Sequence, residues 1–199
     1  MEFEILENAI SKERLNSYLN LAEGNKKKAV ELYFYNLELC KALYNNLHWL
    51  EIILRNAINR IFIQDYNKSW YENPNINFAP IELNKIKQCI LQIHQNKYDI
   101  NNQNIVSNLN LGFWINIFSS YYETIWRHSL RKVFCKNKSI DRKTIHKKLH
   151  PLLKIRNRVA HYESILKFDL TKINQNIIDL IGLIEPNFCK KIILLNFKT

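Results

Sequence analysis

Asn25–Asn73, NKKKAVELYFYNLELCKALYNNLHWLEIILRNAINRIFIQDYNKSWYEN, runs for 49 residues without a glycine or a proline. Within it Ala29, Leu32, Tyr33, Asn36, Leu37, Cys40, Leu43, Tyr44 and Leu47 recur every three or four residues, and Leu50, Leu54, Ala57, Ile58 and Ile61 continue the stripe. That period belongs to a helix with one buried face. The spacing predicts one very long helix, or two joined near Asn45-Asn46.

The flanks read the same way. On the N-terminal side Ile5, Ala9, Ile10, Leu15, Tyr18 and Leu19 predict a helix over Glu4–Leu21, ended by Gly24. On the other side two prolines and several asparagines make 67–80 a loop, followed by a helix from about Ile81 to Tyr98 and a polar loop over 99–103. A long helix is expected from about Asn110 to Phe134, then a basic turn at 136–140. Asp141 is a good N-cap for a helix starting at Arg142. Pro151 is expected to kink or interrupt that helix, because it lacks an N–H and crowds the preceding turn. Asp169 can cap a helix to Leu183, and Pro186, at a favourable first-turn position, opens a last one to about Leu195. No repeat or Ser/Gly linker divides the chain, so residues 1–199 read as one all-α domain, a bundle of five to seven helices.

Composition agrees. Only three glycines and four prolines occur in 199 residues, too few for the frequent turns of a β-sandwich or barrel. Glycine-rich phosphate loops are excluded as well, since neither GxGxxG nor GxxxxGK[ST] occurs. The 47% of apolar and 12% of aromatic residues suffice for a core. The start is acidic, with no signal-peptide pattern, and no apolar run is long enough to span a bilayer. The cysteines, Cys40, Cys89, Cys135 and Cys189, lie far apart with no ligand spacing, which points to reduced thiols, no metal and a cytoplasmic protein.

The net charge of +11 is concentrated. Between Trp126 and Arg158 there are twelve Lys and Arg and one acid, Asp141, while the rest of the chain balances. Such a local excess is the footprint of a polyanion partner. Arg142, Lys143, Lys147, Lys148, Lys154 and Arg158 are the expected phosphate contacts, with His128, His146 and His150 in the same segment.

The sharpest local pattern is Ile155-Arg156-Asn157-Arg158-Val159-Ala160-His161-Tyr162-Glu163. At 100° per residue Leu152, Ile155, Val159 and Tyr162 form a core-facing stripe, and Asn157 and His161 sit side by side on nearly the opposite face. Lys154 and Arg158 flank them, and Arg156 can swing to the same spot. An imidazole, an amide and several cations suit cleavage of RNA, which carries its own nucleophile in the 2′-hydroxyl. Imidazoles transfer protons near neutral pH, and guanidinium groups stabilise a charged phosphorane-like transition state. One imidazole cannot easily serve both sides of phosphorus, which favours a symmetric dimer.

Arg156-Asn157 followed by Arg158, Val159, Ala160 and then His161 resembles the RxxxxH motif of HEPN ribonucleases. Ala29–Asn36, Leu50–Ile58 and Leu109–Ile115, with Phe118, Tyr121, Trp126 and Phe134 in register, are similar to the Abi-like (abortive infection) branch of that superfamily. The likeness spans 13–166 in order. It implies a helical bundle of the HEPN type and a metal-independent endoribonuclease with no cofactor. It further implies a homodimer with a composite site, acting in phage defence or as a toxin beside a non-coding RNA or a protein antitoxin. By motif match Arg156 and His161 are catalytic and Asn157 auxiliary. In toxins paired with nucleotidyltransferases the histidine is followed by x-Tyr, whereas Tyr162 follows His161 directly. The alternative is a catalytically silent HEPN module that binds RNA or a protein. Glu51, Arg55 and Asn56 form a separate structural or accessory set, with Glu51 and Arg55 spaced for an i,i+4 ion pair. Gly112-Phe113-Trp114 and Trp126 read as core.

Overall fold

The computed structural model describes residues 2–134 and 140–196, whose regular structure is all helical, with no strand among them. The helices are α1 (Phe3–Ile10), α2 (Lys12–Leu21), α3 (Lys26–Tyr66), α4 (Pro80–Gln95), α5 (Asn102–Asn108), α6 (Leu111–Asn116), α7 (Glu123–His128), α8 (Arg142–Ala160), α9 (Leu170–Ile184) and α10 (Pro186–Asn196). The basic turn expected at 136–140, with Lys136 and Lys138, falls outside the described residues except for Ile140, and so does Cys135. No helix among the described residues is long and apolar enough to cross a membrane.

The all-α expectation holds, but ten α-helices among the described residues replace the expected five to seven. Ser11 breaks the first predicted helix. It stands at φ 81, its N–H donates to the Glu7 carbonyl and its hydroxyl accepts from the Arg14 N–H. The helix expected over 110–134 becomes α6, α7 and two 3-10 turns, Ser120–Tyr122 and Leu130–Phe134. Phe113, Trp114, Ile115, Ile117 and Phe118 are all fully buried there. A single straight helix would need core on every side to bury that run, and the breaks re-aim successive side chains instead. A short helix, α5, also begins inside the expected polar loop, capped by the Asn101 side chain.

Two expected interruptions do not occur. Asn45-Asn46 leaves α3 continuous for 41 residues, because buried Asn46 donates to the Asn174 side chain at 2.7 Å instead of competing with the helix. Pro151 leaves α8 unbroken from Arg142 to Ala160. Pro151 and Lys147 are both exposed, so water can take up the Lys147 carbonyl whose donor the proline removes.

By contacts the chain divides into two compact units, Met1–His48 with Lys154–Gln175 and Trp49–Leu153 with Asn176–Thr199. In the first, Phe3, Leu6, Leu15, Tyr18, Ala22, Ala29, Val30 and Tyr33 form one core cluster, with Tyr18 and Tyr33 edge to face at 5.4 Å. The second is built around Trp70, which contacts Phe62, Tyr71, Phe78, Phe113 and Trp114 and donates its indole N–H to Asn59 at 2.8 Å. The predicted loop over 67–80 thus supplies core, as Tyr71, Ile76 and Phe78 are buried too. Buried Glu82 is satisfied by Tyr122 and Asn116. The reading of Phe113, Trp114 and Trp126 as core is met, since all three are buried.

Candidate functional site

Site geometry begins with how α8 ends. Leu152, Ile155 and Val159 are buried as the stripe predicts, but Tyr162 is exposed. The correction has a local cause. The helix stops at Ala160, and Tyr162 takes a left-handed conformation at φ 51. The Tyr162 N–H donates to the Val159 carbonyl at 3.1 Å and the Glu163 N–H to the Arg158 carbonyl at 2.8 Å. These two bonds define a Schellman end, with His161 as the C-cap and the chain reversing just after it.

Three side chains lock this end, all within the first unit. The Arg14 guanidinium, from α2, donates to the His161 carbonyl at 2.9 Å. The side chain of Asn36, from α3, donates to the Glu163 carbonyl at 3.2 Å and accepts from the Ile165 N–H at 2.8 Å, while fully buried. The Arg158 Nε donates to the Ser164 carbonyl at 3.0 Å, and its guanidinium also pairs with Glu163 and stacks over the Phe168 ring. A charged or amide donor thus meets the C-cap carbonyl and two carbonyls of the chain just beyond the helix.

The arrangement leaves Asn157 and His161 exposed, with Arg156 half-buried one turn back. The His161 N–H donates to the Asn157 carbonyl at 3.1 Å, so the two residues are one turn apart on the same rim. Lys154, exposed, lies 6.0 Å from the Phe168 ring centre. The first unit therefore gathers Lys154, Arg156, Asn157, Arg158 and His161 in two turns of helix.

Arg142, Lys143, Lys147 and Lys148 belong to the other unit's stretch of α8. Asp141 caps it as expected, accepting from the Thr144 N–H at 2.6 Å, and that bond holds its carboxyl below the usual range. Arg142 is committed inside its unit: its Nε donates to Glu123 at 2.7 Å and another nitrogen to the Phe118 carbonyl at 2.8 Å, with little of its side chain exposed. Half-buried Lys148 approaches Asn176, whose amide returns a bond to the Lys148 carbonyl. Lys143 and Lys147 are exposed. The histidine pair His146 and His150 has ring centres 5.2 Å apart.

In the accessory set Glu51 and Arg55 are half-buried and Asn56 is exposed. The Arg55 Nε is buried without a hydrogen-bond partner among the described residues. Cys40, Cys89 and Cys189 are buried free thiols, and burial pushes each of them up.

Sequence reasoning missed Arg14 and the anchoring role of Asn36. The second was signalled, because Asn36 lies on the apolar stripe of α3, where an amide needs a partner. No signal marked Arg14. Comparison of the chain with protein-family models, with curated proteins and with solved structures finds no match in any of the three.

Proposed function

We propose that the chain is a metal-independent endoribonuclease of the HEPN type, acting in the cytoplasm in phage defence or as a toxin. The observation that carries this reading is the locked C-terminal end of α8, which presents Asn157 and His161 at the surface with Arg156 one turn behind. His161 removes the proton from the 2′-hydroxyl, and that oxygen attacks the neighbouring phosphorus. Arg156 neutralises the charge that builds on the phosphorane-like oxygens, and Asn157 orients the imidazole or a substrate oxygen. The 5′-oxygen leaves with a proton, and the products carry a 2′,3′-cyclic phosphate and a 5′-hydroxyl. A twofold dimer gives that leaving oxygen its own acid, the second copy's imidazole. Exposed Lys143, Lys147 and Lys154 contribute phosphate contacts along RNA.

The test is incubation of purified protein with total RNA in the presence of EDTA, followed by mapping of the cleaved ends. His161→Ala is expected to lose about 10² to 10⁴ in rate while keeping its helical circular dichroism, because the side chain is exposed. Full activity of that variant, or strict dependence on a divalent metal, overturns the mechanism.

A further inference from the structure

The first unit contains a cavity of about 360 Å³ between α2 and the chain that follows α8. Its walls include Asn20, Leu21, Arg158, Ser164, Lys167 and Phe168. A smaller cavity of about 180 Å³ shares Arg158, Ser164 and Ser17 with it and is also lined by Arg14, the residue bonded to the His161 carbonyl. The larger volume is within the roughly 300 to 1,000 Å³ of small-ligand sites.

Its chemistry is specific. Leu21 and the half-buried Phe168 ring give an apolar wall. Asn20 and Lys167 line it from exposed positions, while the Ser164 hydroxyl is buried beside Tyr18. Arg158 bonds the Ser164 carbonyl through Nε and pairs with Glu163 through a second nitrogen, which leaves the remaining guanidinium N–H donors. Glu13 and Glu163 line the smaller cavity, whereas no carboxylate lines the larger one. The charged groups of the smaller cavity cancel, Glu13 and Glu163 against Arg14 and Arg158, whereas those lining the larger are Lys167 and Arg158 alone, so an anion is favoured in the larger.

An aromatic and apolar wall, an amide and two cations match a flat ring with a polar edge joined to an anion. We propose that this cavity binds one nucleoside monophosphate unit. The base lies against Phe168 and Leu21, the Asn20 amide reads its edge, and Lys167 with Arg158 holds the phosphate. The unit comes either from an RNA strand passing His161 or from a free nucleotide. Only the RNA source rests on the ribonuclease reading; the cavity does not.

Titration calorimetry on the full chain separates these cases, using AMP, GMP, CMP and UMP and a 2′-O-methyl hexanucleotide that cannot be cleaved. Lys167→Glu and Phe168→Leu are each expected to weaken the bound species about tenfold. Lys172→Glu, a charge control in the same unit, is expected to leave it unchanged. Binding of the hexanucleotide alone identifies an RNA residue, and equal binding of mononucleotides a free nucleotide. Binding that ignores both cavity variants, or no binding at millimolar ligand, overturns the proposal. Nucleotide binding without RNA cleavage removes the ribonuclease reading and keeps the cavity, while cleavage with indifferent cavity variants does the reverse.

Discussion

The Arg14 guanidinium bonds the His161 carbonyl at 2.9 Å across 147 residues of sequence. The last carbonyls of a helix have no donors within it, and Tyr162 just beyond adopts the left-handed φ of 51 that non-glycine residues avoid. The end of α8 is held from outside.

Removing that hold has a defined consequence. Arg14→Ala is expected to speed amide exchange at Tyr162 and Glu163, whose N–H groups close the turn, with the rest of the first unit unchanged. If His161 is catalytic, kcat falls while KM holds, since Arg14 acts on the position of His161 and not on substrate. Arg14→Lys recovers part of the rate by keeping a donor. Unchanged exchange at those two amides shows that the turn stands without Arg14.

Asn36 carries more. Replacing it with Ala leaves the Glu163 carbonyl and the Ile165 N–H without their partner in a buried site. Each unsatisfied group costs roughly 1 to 3 kcal/mol, so thermal melting should drop by several degrees. Asn36→Asp keeps the acceptor for Ile165 but places a carboxylate against the Glu163 carbonyl. It is expected to be at least as damaging as Ala at pH 7 and to recover as the pH falls. A melting temperature equal to wild type in both variants contradicts the role given to Asn36.

What the sequence made legible follows from where its signals act. Helical period and the scarcity of glycine are local, and they identified α3, α4, α9 and the caps Asp141 and Asp169, both of which accept as expected from the N–H three residues on. Breaks set by packing were not local. Trp114 and Phe118 look like helix residues in sequence, and only the demand to bury neighbours on all sides splits their segment. At the site, the placement of Asn157 beside His161 came from helical spacing, whereas Tyr162 left the expected stripe because the helix ends before reaching it. Arg142 reads as a free cation in a basic run, yet it is consumed by Glu123 and the Phe118 carbonyl, partners 19 and 24 residues away.

The half-buried ring of His146 ties stability to pH. Its pKa lies below 6.5, first because burial penalises the imidazolium and then because His150 and Arg142 repel it. The unfolded chain therefore binds this proton more tightly than the folded one. Stability is whole above about pH 6.5 and declines as the pH falls through the folded value. Melting temperature should drop between pH 7 and 5, and His146→Gln should flatten that slope. A slope unaltered by the substitution assigns the acid sensitivity to another group.

The exposed and the committed cations of α8 predict opposite behaviour. Lys143 and Lys147 are exposed, so replacing both with Glu should leave melting nearly unchanged, as exposed charges contribute little to folding. Binding to an uncleavable RNA should weaken for unrelated sequences alike, because phosphate contacts position a strand without reading bases. The salt dependence should become shallower by about 0.7 in slope for each phosphate of a single strand that the variant no longer neutralises. Arg142→Ala reverses the pattern: it leaves Glu123 with Arg127 as its remaining partner and unpairs the Phe118 carbonyl, so melting falls while the salt slope of RNA binding holds. Fluorescence anisotropy at several salt concentrations, beside thermal melts, reads both quantities. A salt slope insensitive to the double lysine change moves the phosphate contacts off this stretch of α8, and a salt slope that Arg142→Ala lowers makes the buried guanidinium a contact after all.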